Sequence, residues 1–173
     1  VQYAGRVFAE EEMRNLTDSS LDFWLTLGPY GDLFESRMRR YFRSASFSLV
    51  NSGSSANLTA VLALMSPQLE RPLVAGDEVI TPAVTFPTTL APLVHGGLIP
   101  VFVDCEIGTY NIDPNQIEAA VTDKTRAIVV PHTLGNPCDM DIITDVAKRH
   151  DLYLMEDSCD ALGGRFNDQL VGT

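Results

Sequence analysis

The chain of 173 residues is poor in cysteine, lysine and positive charge, and it has no long apolar run. Its three cysteines, Cys105, Cys138 and Cys159, are odd in number and form no C-x-x-C pair. Neither a disulfide framework nor a self-contained zinc site is indicated, although a ligand set completed elsewhere is compatible with them. Lys and Arg together number 12 against 23 Asp and Glu, for a net charge of -11. No basic stripe is present, which argues against a nucleic-acid backbone or an anionic membrane surface as partner. Apolar stretches such as 98–103 fall far short of the roughly 20 residues that span a bilayer. Arg6 and Glu10 to Glu12 interrupt the opening residues, which carry no signal-peptide core. The expectation is a soluble protein of cytoplasmic type. The start at Val1 and the stop at Thr173, with no evident closing helix, suggest a piece of something longer.

Apolar residues make up 45% of the chain and the mean hydropathy is +0.05, enough for a sizeable core. An acidic first turn at Glu10 to Glu12 marks a first helix, and 28–31 (Gly-Pro-Tyr-Gly) breaks the pattern. A second amphipathic helix is expected over 32–42, with Arg37, Arg39 and Arg40 on a solvated face. Short runs rich in Val, Ile and Leu follow at 47–51, 78–81, 99–104, 127–131 and 152–156. Helical patterns at 54–65, 113–118 and 139–150 alternate with them, two opened by Asp113 and Asp139. Strand and helix in alternation predict an α/β fold with a largely parallel sheet and right-handed crossovers.

In such sheets ligands sit beyond the carboxyl ends of the strands, so the strand exits carry the chemistry. At the first, Asn51 to Asn57, Gly53 lets backbone approach closely, unpaired helical N–H groups follow, and Ser54 and Ser55 add hydroxyls. An anion cradle and a plain N-cap explain this equally well, and neither G-x-x-x-x-G-K-[ST] nor G-x-G-x-x-G is present. At the second, Phe86 among Thr and Pro residues is either a face for a flat ligand or a core ring under a turn. At the last, Glu156, Asp157 and Asp160 crowd three carboxylates at a strand end, where a cation or a protonated ring nitrogen would relieve them. His132 leaves a strand at the same edge and is either a ligand contact or a structural histidine, while His95 and His150 read as helix-end residues and Cys105 and Cys138 as packing.

Taken in order, Asn51-Ser52-Gly53-Ser54-Ser55-Ala56-Asn57, Thr85-Phe86-Pro87-Thr88-Thr89, residues 100–104 with Tyr110-Asn111-Ile112-Asp113, and Glu156-Asp157 resemble the DegT/StrS-type sugar-nucleotide enzymes. Residues 19–26, 132–137 and 156–163 are similar to a 3-dehydrase branch of that family, which acts in dideoxysugar and lipopolysaccharide synthesis. The resemblance implies a three-layer αβα large domain of the aspartate-aminotransferase type, incomplete at its C-terminus. It divides the chain into an N-terminal helical segment, 1–45, and part of the cofactor-binding domain, 46–173. It implies pyridoxal or pyridoxamine 5′-phosphate, with Gly53, Ser54 and Ser55 at the phosphate, Phe86 on the ring and Asp157 at the ring nitrogen. Asp160 stands where the aminotransferases usually carry Gln or His.

Cys159 matches the first ligand of a 2Fe-2S cluster in the dehydrase branch, although one thiolate cannot hold a cluster. Only Lys124 and Lys148 are present, both at unsuitable positions, and the resemblance implies that the catalytic base, histidine in the dehydrase branch and lysine in the aminotransferases, follows Thr173. The implied partners are a CDP-linked 4-keto-6-deoxy sugar, approached by residues 24–30, a second copy in a homodimer, and a reductase. A sugar-nucleotide aminotransferase is the alternative within the fold. A non-enzymatic module binding Mg²⁺ through Glu156, Asp157 and Asp160 is the alternative outside it.

Overall fold

A computed structural model of the chain describes residues 5–173, so the first four residues of the expected helical segment lie outside the described residues. The chain divides after Leu49 into two units.

The first unit carries α1 (Glu10–Leu21) and α2 (Pro29–Phe42). The Glu12 carboxylate accepts the Ala9 N–H at 2.6 Å and Arg14 pairs with Glu10 at 2.7 Å, so α1 holds its own first turn. The expected break at 28–31 is instead the start of α2, because Gly28 caps it and Pro29 takes the first helical position. Phe47 packs edge-on against Phe34 at 6.0 Å and stacks on Phe42 at 6.4 Å between centroids. Neither helix buries a residue completely.

The strand expected at 47–51 does not form. No described segment pairs with it to form a ladder, and the Leu49 N–H goes instead to the Glu35 carboxylate at 2.6 Å.

The second unit is built on a four-stranded sheet in the order β2-β1-β3-β4, comprising β1 (Glu78–Pro82), β2 (Ile99–Val103), β3 (Thr125–Pro131) and β4 (Tyr153–Asp157). All three pairings are parallel. Alternation along the strands sends Val79, Ala127 and Val129 to one face, where Val61 of α3 (Gly53–Leu64) and Leu93 of α4 (Pro87–His95) cover them. Ile80, Ile128 and Val130 go to the other, under Ile117 of α5 (Pro114–Ile117) and Ile143 and Val146 of α6 (Met140–Arg149). The result is three layers, helices on both faces of a parallel sheet, as the sequence leads one to expect.

Asp113 and Asp139 cap α5 and α6 by accepting the N–H groups of Asn115 and Ile142. Two elements stand outside the sequence pattern. Helix α4 carries Pro87 at its first position and Pro92 inside it. The hairpin of β5 (Arg165–Phe166) and β6 (Gln169–Leu170) turns through Asn167 and Asp168, both at positive φ, the geometry of a two-residue hairpin turn. Among the described residues no helix is long and apolar enough to cross a membrane.

Candidate functional site

The polar residues of the second unit gather at the carboxyl ends of the strands, and Asp157, the last residue of β4, is their centre. Its Oδ2 accepts two hydrogen bonds, from Asn57 Nδ2 at 2.8 Å and from Thr89 Oγ1 at 2.7 Å. Among the described residues its Oδ1 accepts only the Cys159 N–H, at 3.2 Å. Asn57 lies on α3 and Thr89 on the first turn of α4, so one carboxylate ties the ends of two helices to the sheet.

Helix α3 begins beside it. Ser52 is the N-cap, its hydroxyl accepting the Ser55 N–H at 3.2 Å and its carbonyl the Ala56 N–H at 3.0 Å. The N–H groups of Gly53 and Ser54 have no acceptor among the described residues. A Cβ at Gly53 would lie 3.3 Å from Cys159 Sγ, so the helix start and the acidic loop are in contact. Ser54, Ser55, Thr88 and Pro92 help to line an adjoining cleft of about 220 Å³. Phe86 caps α4 and is 70% exposed, which removes the core-ring explanation. The Thr85 hydroxyl nearby is buried without a partner.

The three carboxylates expected to crowd together do not. Asp157 turns to α3 and α4, while Glu156 turns to the opposite face, as consecutive strand residues must. Glu156 Oε2 meets His132 Nε2 at 2.8 Å and accepts the Gly172 N–H at 2.9 Å. His132 is 1% exposed, and its Nδ1 accepts the Cys138 N–H at 3.1 Å. The Nδ1 is therefore unprotonated and the Nε2–H donates to Glu156, a tautomer assigned from the bonding pattern. His132 is structural, and it belongs to the Glu156 face. Asp160 is exposed in the loop after Asp157.

Among the described residues no three His, Cys, Asp or Glu side chains are placed to share a metal ion, so the Mg²⁺-binding alternative lacks its cluster. Burial, and secondarily Glu156, pushes the Cys138 thiol up to about 12. Cys159 is exposed, and partial burial followed by Asp157 and Asp160 raises its thiol. His95 ends α4 and His150 caps α6. Lys124 precedes β3 at the edge opposite Asp157, and Lys148 sits in the last turn of α6, so neither joins the site.

Asn57, Thr89 and Pro92 were not singled out as site residues by the sequence pattern. The available signal was an amide within an otherwise apolar helical run, placed 100 residues from the carboxylate it serves.

A parallel αβα sheet whose free donors and carboxylate collect at the strand exits belongs to the ligand-binding class of α/β folds. The chain belongs to the DegT/DnrJ/EryC1/StrS aminotransferase family, whose model matches residues 7–173. It is 49% identical over its whole length to a dTDP-4-dehydro-2,6-dideoxy-D-glucose 3-dehydratase of Saccharopolyspora spinosa, covering 38% of that protein. It is 48% identical to the lipopolysaccharide biosynthesis protein RfbH of Salmonella typhimurium, with 98% of the chain matching 39% of the relative. Among solved structures, an E. coli GDP-4-keto-6-deoxy-D-mannose-3-dehydratase with bound hydrated PLP superposes with a TM-score of 0.92. That match is 37% identical and covers 98% of this chain and 43% of the other. The chain thus spans about two fifths of the length of the relatives it matches.

Proposed function

We propose that this chain supplies the cofactor pocket of a sugar-nucleotide 3-dehydratase that works with pyridoxamine or pyridoxal 5′-phosphate. The reaction is loss of the 3-hydroxyl from a nucleotide-linked 4-keto-6-deoxy sugar. When bound, the cofactor supplies a ring that takes up electron density from an adjoining carbon, which is the chemistry that breaking a C–O bond beside a ketone requires.

The residues present fit such a group. The free N–H groups of Gly53 and Ser54 and the hydroxyls of Ser54 and Ser55 take the phosphate at the start of α3. The exposed ring of Phe86 offers its face to a flat heterocycle. Asp157 Oδ1, with acceptor capacity left, holds the proton of a ring nitrogen. Asp160, following in the same loop, lies toward the cofactor in this assignment. The observation that carries the proposal is Asp157, an ionisable group anchored at a strand exit beside an open helix N-terminus. In this reading the catalytic base, histidine or lysine, comes from outside this chain; Lys124 and Lys148 do not reach the site.

In the same reading the nucleotide is CDP, the protein is a cytoplasmic homodimer and a reductase is its partner. The residues of this chain do not by themselves fit a 2Fe-2S cluster, which takes four ligands. The Cys138 thiol donates to the Pro131 carbonyl and Cys105 is turned to the Val84 carbonyl, leaving Cys159 alone.

The full-length protein, given pyridoxamine 5′-phosphate and CDP-, GDP- or dTDP-linked 4-keto-6-deoxyhexoses, should convert one of them to the 3-deoxy ketosugar, lighter by one oxygen atom, with one equivalent of pyridoxamine phosphate oxidised to pyridoxal phosphate and its nitrogen released as ammonia. Recovery of an amino sugar that keeps its 3-hydroxyl would replace the dehydratase with an aminotransferase.

A further inference from the structure

Helix α4 contains a gap in its own hydrogen bonding. Pro92 has no N–H to give to the carbonyl four residues back, that of Thr88. That carbonyl instead accepts Asn57 Nδ2, at 3.2 Å. The second N–H of the same amide goes to Asp157 Oδ2 at 2.8 Å. Both partners are acceptors, so the amide nitrogen must face them, and the orientation of Asn57 is fixed by the bonding pattern itself.

Thr89, one residue after the freed carbonyl, gives its hydroxyl proton to the same Oδ2 at 2.7 Å. Asn57 is 7% exposed and Thr89 0%, which leaves little room for water to replace either donor.

Two donors on one carboxylate oxygen have a directional consequence. A proton cannot rest on Oδ2 without displacing one of them, so the free basicity of Asp157 is concentrated on Oδ1, which accepts only a 3.2 Å bond from Cys159 N–H. We infer that Pro92, Asn57 and Thr89 are positioning residues that occupy Oδ2 of Asp157 and turn Oδ1 toward a protonated ring nitrogen. The inference rests on the function proposed above and adds the residues that set the direction of its key contact. The proline inside a helix, costly in isolation, thereby has a role: it releases the carbonyl that orients the amide.

The test uses the full-length protein loaded with pyridoxal 5′-phosphate carrying ¹⁵N in the ring. The ¹⁵N shift reports protonation of that nitrogen independently of turnover. Wild type and Thr89→Ser, which keeps the hydroxyl, should show the protonated shift. Thr89→Val and Asn57→Leu should move the shift toward the unprotonated value and weaken cofactor retention about ten- to a hundredfold, as loss of a hydrogen bond to a charged group does. Pro92→Ala, whose new N–H competes for the Thr88 carbonyl, should move it in the same direction by less. Variants that melt lower yet keep the wild-type ¹⁵N shift would overturn the inference and leave these residues as mere ties between helices and sheet. A wild-type protein that retains no cofactor would overturn the proposed function, and this inference with it.

Discussion

Glu156 and Asp157 are consecutive in β4, yet their carboxylates act on opposite faces of the sheet. Glu156 binds His132 at 2.8 Å, and Asp157 binds Asn57 and Thr89 at 2.8 and 2.7 Å. One strand end therefore carries two acids with different partners, one on each face of the sheet, and the two are separable by mutation.

On the structural side, His132→Ala strips Glu156 of its ring N–H donor, removes the acceptor for Cys138 N–H, and opens a void where a fully buried ring stood. The expected loss of stability in the full-length protein is about 2–4 kcal/mol. Urea unfolding followed by tryptophan fluorescence and circular dichroism reads it, and a change below about 0.5 kcal/mol, the size of an ordinary surface substitution, would contradict the structural role.

Acid stability should depend on Glu118, which forms a two-pronged pair with Arg149 and accepts from His150. Its hydrogen bond to Arg149 first, then that to His150, lowers its carboxyl from 4.5 to about 2. A depressed carboxyl stabilises the fold above its unfolded value and loses that contribution as pH falls, here from 4.5 down through about 2. Wild type should therefore lose more stability than Glu118→Gln across that window, and parallel acid-unfolding curves would show that the pair contributes nothing.

Thiol reactivity should rank by burial. Cys138, buried and pushed up to about 12, should resist alkylation until the protein unfolds. Exposed Cys159 should react first, though slowly, since partial burial and then Asp157 and Asp160 hold its proton. Mass spectrometry after timed iodoacetamide treatment gives the order, and modification of Cys138 ahead of Cys159 in the native protein would refute it.

The four strands were legible because buried parallel strands read as runs of Val and Ile, as in Ile128, Val129 and Val130, and because Asp113 and Asp139 announce their helices. Helix α4 was not, since Pro87 and Pro92 look like loop residues until the first is seen at the helix start and the freed Thr88 carbonyl is seen to be taken by Asn57. The strand at 47–51 has the composition of a strand without a described neighbour to pair with, and composition does not supply partners. Strand alternation alone would have separated Glu156 from Asp157. Pairing Asn57 with Asp157 needed the folded chain, because helix and strand periodicity carry no information across 100 residues.

The most direct measurement is equilibrium binding of pyridoxal 5′-phosphate to the full-length protein and to its Asp157→Ala variant, followed by dialysis and absorbance. Removal of a charge-assisted hydrogen bond at the ring nitrogen should weaken binding at least about tenfold while the fold stays intact by circular dichroism. Equal retention of the cofactor by both proteins would place the ring elsewhere and contradict the assignment of this strand exit as its pocket.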